Sequence, residues 1–537
     1  MTHKFISFLA GLLITLTSFA QSSQPFVEYW DNDKKLLRSR GTYLNGIENG
    51  TWEYFYKNGR LQEKVPYNRG YIDGKVKRFY EDGKPMSEGI FRFGKQDSLF
   101  LSWHENGQLA ERGMYDKGAK TGYWEIFYAD GKLKKFESHA DKEILLITFN
   151  DPSGKNLIEK GNGVMIEYYD PAHIKKKIQY KGGLPDGDWE EYYANGKVSD
   201  KGAYNENRKH GEWVQYFTTG EVKSIHNYLD DELNGACMEK LSPGIKNFEG
   251  SFLKDEKIGQ WTWYFSSGKT EMTGYFLDNA QDGEWLFYYP SGATQVKGEY
   301  KKGEKDGEWS FFYENGNKEK EGVYKNDQRI GFWQYWFESG KKSQAGSFVA
   351  DLEEKEWLSW YENGQMKDKG TFVQGKMNGP WEGWLDTGKP RYKGSWDNGA
   401  QTGSWKRYYT NGRLKEEGSY KVMKQDELRT GEKTGDWNTY YEESGNIQSK
   451  GSYTDGKQSG KWIYYSGPGV IVEERGYSDG KLNGKAKQFS ETGALELECH
   501  YKNNQLDGKY TQYRKGQPVR EAQYDNGKKI SEQRFER

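Results

Sequence analysis

The stretch GEWSFFYENGNKEKEGVYKNDQRI, residues 307–330, is one copy of a unit that recurs along almost the whole chain. Its first aromatic residue, Trp309, belongs to a series whose neighbouring members stand 24 residues apart, without insertion or deletion. The members are Trp189, Trp213, Cys237, Trp261, Trp285, Trp309, Trp333, Trp357, Trp381 and Trp405. Related positions precede and follow them at Trp52, Val76, Phe100, Trp124, Trp437, Trp462, Ala486 and Tyr510. A fixed period of this length predicts a repeat array in which each supersecondary unit stacks on its neighbours.

Each unit is predicted to be a β-hairpin. Asn-Gly or Asp-Gly separates two aromatic-bearing segments at 58/59, 82/83, 106/107, 130/131, 195/196, 315/316, 363/364 and 411/412. These dipeptides tolerate positive φ and favour a two-residue type I′ turn. With residues 315–316 at the centre of the turn, Trp309 pairs with Gly322, and Gly307 lies opposite Tyr324. We expect each large ring to cover the glycine across from it, and a longer turn to spoil this register.

The alternation of side chains predicts a ring-rich face and a sparser one. Trp309, Phe311, Tyr313 and Tyr324 share one face, which forms a one-sided core. The residue three positions after each Trp falls on the opposite face and is nearly always aromatic. The sequence therefore predicts an all-β fold, an elongated array of stacked antiparallel hairpins in a single twisted layer.

The overall composition bears on order and on partners. Hydrophobic residues make up only 34% of the chain and charged residues 30%, which leans toward disorder. The 20 Trp, 41 Tyr and 26 Phe favour a folded β-structure instead, because disordered chains are poor in aromatic residues. The 79 basic residues nearly cancel the 80 acidic ones, so nucleic acid is not an expected partner.

The N-terminus has the pattern of a secretory signal peptide over residues 1–20. Lys4 precedes an apolar run at 5–19, and small residues stand at positions 18 and 20. We therefore expect an exported protein that is periplasmic, at the cell surface or secreted. The run is short for a membrane anchor, and no transmembrane span is predicted in the mature chain.

The remaining chain is divided by how closely each stretch follows the repeat. The predicted divisions are an N-terminal capping segment at 21–49, hairpin repeats at 50–140, a degenerate repeat or bend at 141–163, repeats at 164–514 with an insertion near 421–431, and a C-terminal cap at 515–537. We expect a shortened return strand in the degenerate repeat. The insertion is either an interaction loop or a tolerated surface insertion. Cys237 and Cys499 stand too many repeats apart for a disulfide.

The unit G-x-W-x-x-Y-Y-x-N-G-K, followed by G-x-Y-x-x-G-x-x-x-G, resembles the MORN repeat, in the bacterial variant found in antitoxin-component-type proteins. The resemblance covers roughly residues 50–530. It implies a hairpin ribbon without catalytic machinery, used for protein or lipid association. Export and length set this chain apart from the cytosolic antitoxin setting.

Catalytic and metal-binding motifs are missing from the sequence. The seven histidines are scattered without a Cys/His cluster, so no metal site is predicted. Acid pairs such as Glu190-Glu191 are better explained as solvated strand charges than as a glycosidase pair. We therefore predict that the protein is not an enzyme and takes no cofactor.

The sequence feature most suggestive of function is an outward strip of three tryptophans, Trp336, Trp360 and Trp384. Rings one repeat apart would form a stacking platform for a glycan or a hot-spot strip for a protein. The structural alternative is that the strip packs against a neighbouring turn or a second copy of the chain. We predict an extended β-surface for protein binding or scaffolding at the cell envelope. The alternatives are glycan or cell-wall binding, and antitoxin-like or immunity-like binding of a toxin.

Overall fold

The computed structural model describes residues 22–140, 143–425 and 428–535. Within these ranges all regular secondary structure is β, and neighbouring strands pair antiparallel. The predicted all-β fold of antiparallel hairpins is therefore confirmed. The predicted signal peptide, residues 1–20, lies outside the described residues.

The chain divides into two compact units. The first holds the residues up to Gly244 together with Phe252–Asp255, and the second holds Ile245–Ser251 and Glu256–Arg537. The strands up to residue 244 are β1 (Ser23–Tyr29), β2 (Leu37–Leu44), β3 (Ile47–Phe55), β4 (Leu61–Asn68), β5 (Tyr71–Ile72), β6 (Gly74–Phe79), β7 (Pro85–Arg92), β8 (Lys95–Trp103), β9 (Leu109–Asp116), β10 (Ala119–Phe127), β11 (Leu133–Ala140), β12 (Glu143–Asn150), β13 (Asn156–Glu159), β14 (Asn162–Asp170), β15 (His173–Lys181), β16 (Leu184–Tyr192), β17 (Val198–Asn205), β18 (Arg208–Tyr216), β19 (Val222–Leu229) and β20 (Glu232–Ser242).

The later strands follow the same hairpin pattern. They are β21 (Ile245–Leu253), β22 (Glu256–Tyr264), β23 (Thr270–Leu277), β24 (Ala280–Tyr288), β25 (Thr294–Lys301), β26 (Glu304–Lys305), β27 (Gly307–Phe312), β28 (Lys318–Lys325), β29 (Gln328–Trp336), β30 (Lys342–Val349), β31 (Leu352–Trp360), β32 (Met366–Val373), β33 (Lys376–Trp384), β34 (Pro390–Asp397), β35 (Ala400–Tyr408), β36 (Leu414–Gln425), β37 (Leu428–Tyr440), β38 (Ile447–Thr454), β39 (Lys457–Tyr465), β40 (Ile471–Ser478), β41 (Lys481–Phe489), β42 (Leu495–Lys502), β43 (Gln505–Arg514), β44 (Gln517–Asp525) and β45 (Lys528–Arg534).

The predicted strand register of the β27–β28 hairpin is confirmed, but its predicted turn is wrong. Trp309 pairs with Gly322 and Gly307 with Tyr324. The turn itself has three residues, because the Tyr313 amide donates to the carbonyl of Asn317 at 2.8 Å. A β-bulge between Phe311 and Phe312 absorbs the resulting one-residue shift. A turn of another length therefore leaves the Trp register intact.

The type I′ geometry occurs at the other end of the unit, where one hairpin leads into the next. Asn326 and Asp327 connect β28 to β29, and both have positive φ, 49° and 62°. In the Asn-Gly turn, by contrast, Gly316 has a φ of 88° and no positive φ is found at Asn315. The prediction placed this turn chemistry at the wrong end of the unit.

Asparagine in the Asn-Gly turn acts through its side chain. The Asn315 Oδ1 accepts from the amide of Asn317 at 2.9 Å, and its Nδ2 donates to the carbonyl of Glu338 in the next such turn, also at 2.9 Å. The Tyr313 hydroxyl likewise donates to the Trp336 carbonyl at 2.9 Å. The same asparagine bridge to the following turn is made by Asn58, Asn106, Asn195, Asn363 and Asn411. These bonds tie successive turns along one edge of the sheet.

Trp333, like most of the repeat tryptophans, covers a glycine of the preceding hairpin rather than the glycine across from it in its own hairpin, so this expectation is wrong. A Cβ added at Gly322 would overlap the ring of Trp333, although Gly322 pairs with Trp309. The Trp333 Nε1 donates to the carbonyl of Val323 at 3.3 Å. A buried indole N–H needs an acceptor, and this carbonyl follows the register shift between Glu321 and Val323. The contact therefore links one repeat to the next.

Edge-on aromatic pairs continue this link along the Trp face, defined as the sheet face that carries Trp309 and Trp333. The Trp333 ring lies 5.1 Å from Tyr324 and 6.2 Å from Phe348, nearly perpendicular to both. In the second unit the alternation runs through Trp261, Phe276, Trp285, Tyr300, Trp309, Tyr324, Trp333, Phe348, Trp357, Phe372 and Trp381. The core is thus a row of interlocked rings.

The degenerate repeat of the first unit replaces tryptophan with aliphatic side chains. β12 pairs with β13, a return strand of four residues. The Leu146 amide donates to the Gly183 carbonyl at 2.9 Å. The buried cluster beneath it contains Leu146, Phe149, Ile158, Met165 and Ile178. This segment is therefore packed although it lacks the glycine–tryptophan contact.

The insertion near 421–431 extends two strands, and its role as an interaction site stays a prediction. Lys421 pairs with Glu432 and Gln425 with Leu428, which lengthens β36 and β37. Arg429 also forms an ion pair with Asp397. The described residues of the insertion continue the antiparallel pairing of the unit.

We predict that Gly322→Ala destabilises the protein by about 1–3 kcal/mol, because the added methyl group displaces the Trp333 ring. The measurement is the midpoint of urea unfolding of the full chain. Gly467→Ala is the control, since a Cβ there meets no atom within 4 Å. Equal midpoints for the two variants would contradict the proposed role of Gly322.

We predict that Asn315→Gly lowers the free energy of unfolding by about 1 kcal/mol, because it removes the hydrogen bonds to Asn317 and Glu338. Asn326→Gly is the matched control, and there glycine suits the positive φ and leaves stability unchanged or raised. Thermal unfolding of both variants checks this. Equal effects would indicate that the two turns have the same geometry after all.

Candidate functional site

The Trp face of the second unit has a column of rings two residues after four successive tryptophans. The pairs are Trp261–Trp263, Trp285–Phe287, Trp309–Phe311 and Trp333–Tyr335, with centroids 5.6, 5.9, 6.0 and 6.2 Å apart. The next two members of this column are Ser359 and Gly383. The ring row is therefore interrupted beside Trp357 and Trp381.

A cavity of about 280 Å³ opens where these rings are missing. We call it the Trp357 pit; its lining residues are Gln344, Glu353, Trp357, Leu358, Ser359, Asp368, Phe372 and Trp381. The walls combine three aromatic rings with two carboxyl groups, an amide and a hydroxyl. Such a mixture of apolar walls with few polar groups is typical of ligand pockets.

One of the two carboxyl groups, Asp368, is engaged within the protein. Its Oδ1 accepts from Arg391 Nη2 at 2.6 Å and from the Tyr392 hydroxyl at 2.8 Å. The Ser359 hydroxyl donates to its Oδ2 at 3.3 Å. Burial and the hydrogen bond to Asp368 raise the pKa of Tyr392, so this phenol stays protonated and donates. A side chain at position 383 would overlap the Tyr392 ring, which explains the glycine there.

The other carboxyl group, Glu353, occupies a position that is basic in several repeats. It stands four residues before Trp357 and is partly exposed. The corresponding residue before Trp309 is Lys305, whose Nζ lies 4.7 Å from the Trp309 ring and 5.1 Å from Tyr324. The Trp357 pit therefore has a carboxylate where other repeats hold a cation over the rings.

A second pit, of about 500 Å³, lies where Thr439 takes the ring position after Trp437. The Thr439 hydroxyl hydrogen-bonds to Ser449 at 2.7 Å. Here Lys433 keeps the basic position, with its Nζ 3.8 Å from the centre of the Trp437 ring. The two pits thus differ in the charge of the residue that stands over the rings.

The core positions predicted from the sequence lie on the Trp face. Buried members are Trp189, Trp213, Trp261, Trp285, Trp309, Trp333, Trp381 and Trp405. Trp357 is the exception among the nine and is partly exposed, because it lines the pit.

The three tryptophans of the predicted outward strip lie one repeat apart. Trp336, Trp360 and Trp384 are each partly exposed, in three successive hairpins. Among the ring contacts of the described residues, none joins two of these three. The Trp336 ring instead lies 5.8 Å from Lys318 Nζ. The strip thus stays a prediction as a binding site.

Glu353, Ser359, Asp368 and Gln344 were not singled out by the sequence analysis. A signal for two of them exists, because aligning the repeats column by column shows serine in the ring column and glutamate in the lysine column. In the part of the chain that the structure describes, no group of three or more His, Cys, Asp or Glu side chains is arranged to hold a metal ion. The described residues also contain no helix long and apolar enough to cross a membrane.

Among solved structures, the chain is similar to the crystal structures of TcdB2-TccC3-Cdc42 and of TcdB2-TccC3. Sequence identity is 11% in both cases, with TM-scores of 0.13 and 0.12. The matches cover 93% and 94% of this chain but only 32% and 33% of the other chain. The chain therefore spans about a third of the length of the proteins it matches in these structures. A search of curated proteins finds no match.

The family comparison agrees with the hairpin geometry. Ten segments match the MORN repeat variant, at residues 48–69, 72–92, 96–117, 185–206, 209–230, 281–302, 305–326, 353–374, 401–421 and 482–503. One of them, 353–374, contains Glu353, Trp357 and Asp368 of the Trp357 pit. Tandem hairpins joined by the glycine–tryptophan contact, together with these ten matches, show that the chain contains MORN repeats of the variant type.

Proposed function

We propose that the protein is a non-enzymatic binding protein whose Trp face takes up a protein partner at the Trp357 pit. The observation that carries this proposal is the exposure of Trp357 beside an opening in the ring row. Eight of the nine predicted core tryptophans are buried, whereas Trp357 is partly exposed beside a 280 Å³ cavity. Partly exposed aromatic rings in a pocket are the groups that most often dominate protein recognition.

The array supports this role because it holds the pit walls in place. The ring centroid of Trp357 lies 5.1 Å from that of Phe348 and 6.0 Å from that of Phe372. The centroids of Phe372 and Trp381 are 5.2 Å apart. The Trp357 Nε1 also donates to the Ser347 carbonyl at 3.2 Å. A site whose walls are fixed before binding loses little side-chain entropy when a partner enters.

Export completes the proposal. Lys4 and the apolar run at 5–19 have the pattern of a signal peptide, which would deliver the protein to the cell envelope. We therefore propose a periplasmic, surface-exposed or secreted protein that scaffolds or binds an envelope protein. Its partner is recognised by contact with the pit, and no chemical step is involved.

We predict that a photo-crosslinking amino acid at Gln344, in the pit wall, yields a discrete protein adduct in the intact cell envelope. The same amino acid at Glu314, in an exposed turn, serves as the control and yields none. Adducts are detected by electrophoresis and identified by mass spectrometry.

Adding Ser359→Phe tests whether the pit itself is needed, because this change places a ring where four neighbouring repeats already have one. We expect the Gln344 adduct to disappear while the protein stays folded. An adduct that persists, or one formed equally from Glu314, refutes binding at the pit. Retention on insoluble polysaccharide that depends on Trp336, Trp360 and Trp384 would favour the glycan alternative instead.

A further inference from the structure

We propose that the Trp357 pit binds a cationic side chain, a lysine or arginine of the partner protein, which enters over the rings beside Glu353. This inference rests on the proposed function and specifies the chemistry of the partner. It follows from a comparison of the same position in successive repeats. The pit lies in a repeat where an acid takes a position that is a cation in several other repeats.

In several repeats, the residue four positions before the tryptophan is a lysine whose ammonium group lies over the ring. In the first unit, Lys120 lies 3.7 Å from the Trp124 ring and Lys209 lies 4.4 Å from Trp213. In the second unit, the corresponding pairs are Lys257–Trp261 at 4.8 Å, Lys305–Trp309 at 4.7 Å and Lys433–Trp437 at 3.8 Å. Each ammonium group is attracted by the electron-rich face of its ring.

Arginine does the same in the repeat directly before the pit. Arg329 stands four residues before Trp333, and its guanidinium lies 3.9 Å from the centre of the Phe348 ring. The same guanidinium donates to Asp351 at 2.9 Å, so it has both a ring and a carboxylate as partners. This arrangement shows within the chain itself how a cation is held between an aromatic ring and an acid.

The Trp357 pit reproduces that environment without the cation. Glu353 takes the lysine position, and the rings of Trp357, Phe372 and Trp381 form the walls. Asp368 already accepts from Arg391 and Tyr392, whereas Glu353 forms no ion pair within the described ranges. A carboxylate beside ring faces is unfavourable on its own, because both carry negative charge density. An incoming cation satisfies the carboxylate and the rings together.

The size of the pit favours one side chain over a larger ligand. Its volume of about 280 Å³ lies just below the roughly 300–1,000 Å³ of sites for drug-sized molecules. The small side chain at Ser359 provides the space that Phe311 and Tyr335 fill in neighbouring repeats. A lysine or arginine side chain therefore fits where the protein lacks its own ring and its own cation.

A matched control exists in the first unit. Glu48 stands four residues before Trp52, as Glu353 does before Trp357. At that repeat Tyr54 occupies the ring column, stacked on Trp52 with centroids 6.3 Å apart. Glu48 thus has the same position and charge as Glu353, but a ring fills the place of the pit.

The inference is tested by saturation-transfer NMR of the full mature chain with Nα-acetyl-lysine methylamide, its arginine counterpart and the uncharged norleucine counterpart. We expect saturation of the lysine and arginine side chains and little of norleucine. Glu353→Gln should weaken lysine binding about tenfold, since both the charge and the cation–π arrangement contribute. Glu48→Gln should leave binding unchanged.

Glu353→Lys provides a second variant that keeps the fold. It restores the lysine that Lys305 and Lys257 supply in their repeats, so we expect an unchanged or higher melting temperature and complete loss of probe binding. Norleucine binding equal to that of lysine, equal effects of Glu48→Gln and Glu353→Gln, or binding that survives Glu353→Lys would each overturn the inference.

The envelope crosslinking experiment separates this inference from the proposed function. If Ser359→Phe abolishes the Gln344 adduct while Glu353→Lys does not, the pit binds a protein but does not bind a cationic side chain of it. If neither change affects the adduct, binding at the pit itself is refuted. Loss of the adduct in both variants, with Glu48→Gln unaffected, supports the two proposals together.

Discussion

The contact of a tryptophan ring with the bare backbone of the preceding hairpin is the constraint on which the rest of the structure depends. At Gly322 any side chain would overlap the Trp333 ring, and the indole N–H donates to the neighbouring Val323 carbonyl. The contact therefore demands a glycine in one repeat and a tryptophan in the next. Edge-on aromatic neighbours add about 0.5–1.5 kcal/mol per pair beyond the area they bury. Because each contact crosses a repeat boundary, stacking rather than the isolated hairpin makes the unit stable.

The fold class and the Trp309–Gly322 register were predictable because they follow from period and alternation alone. The sequence does not predict which of two glycines the Trp309 ring covers, since Gly298 of the preceding hairpin and Gly322 of its own hairpin both lie beside it. The choice is made by the acceptor of its Nε1, the Glu299 carbonyl of the preceding strand. The turn type was misread for a similar reason. An Asn-Gly pair signals one left-handed glycine, which suits both two-residue and three-residue turns, and the compensating bulge leaves no trace in the spacing.

The candidate site could not be predicted from motifs, because it is defined by residues that depart from the repeat consensus. Trp336, Trp360 and Trp384 stand out in the sequence as aromatic residues, but they conform to the repeat. The Trp357 pit exists where Ser359 supplies no ring and Glu353 supplies no cation. A missing ring alone does not define this site, since Thr439 also leaves a cavity beside Trp437, where Lys433 stays over the ring. Only the placement of these columns on one face shows that the missing groups would have shared one space.

In most repeats the aromatic rings already have a cation or another ring of the same chain as a partner. A partner protein can therefore gain specific contacts only where such an internal partner is missing. Lys305 over Trp309 and Arg329 over Phe348 show rings whose affinity for cations is met from within the chain. When the internal cation is replaced by a carboxylate, the aromatic walls remain but no longer have a cation over them. The repeats on either side keep those walls rigid. A binding site that forms where a ring and a cation are replaced needs no new loop and no change of strand register. It is compatible with the strict 24-residue spacing that continues through Trp357.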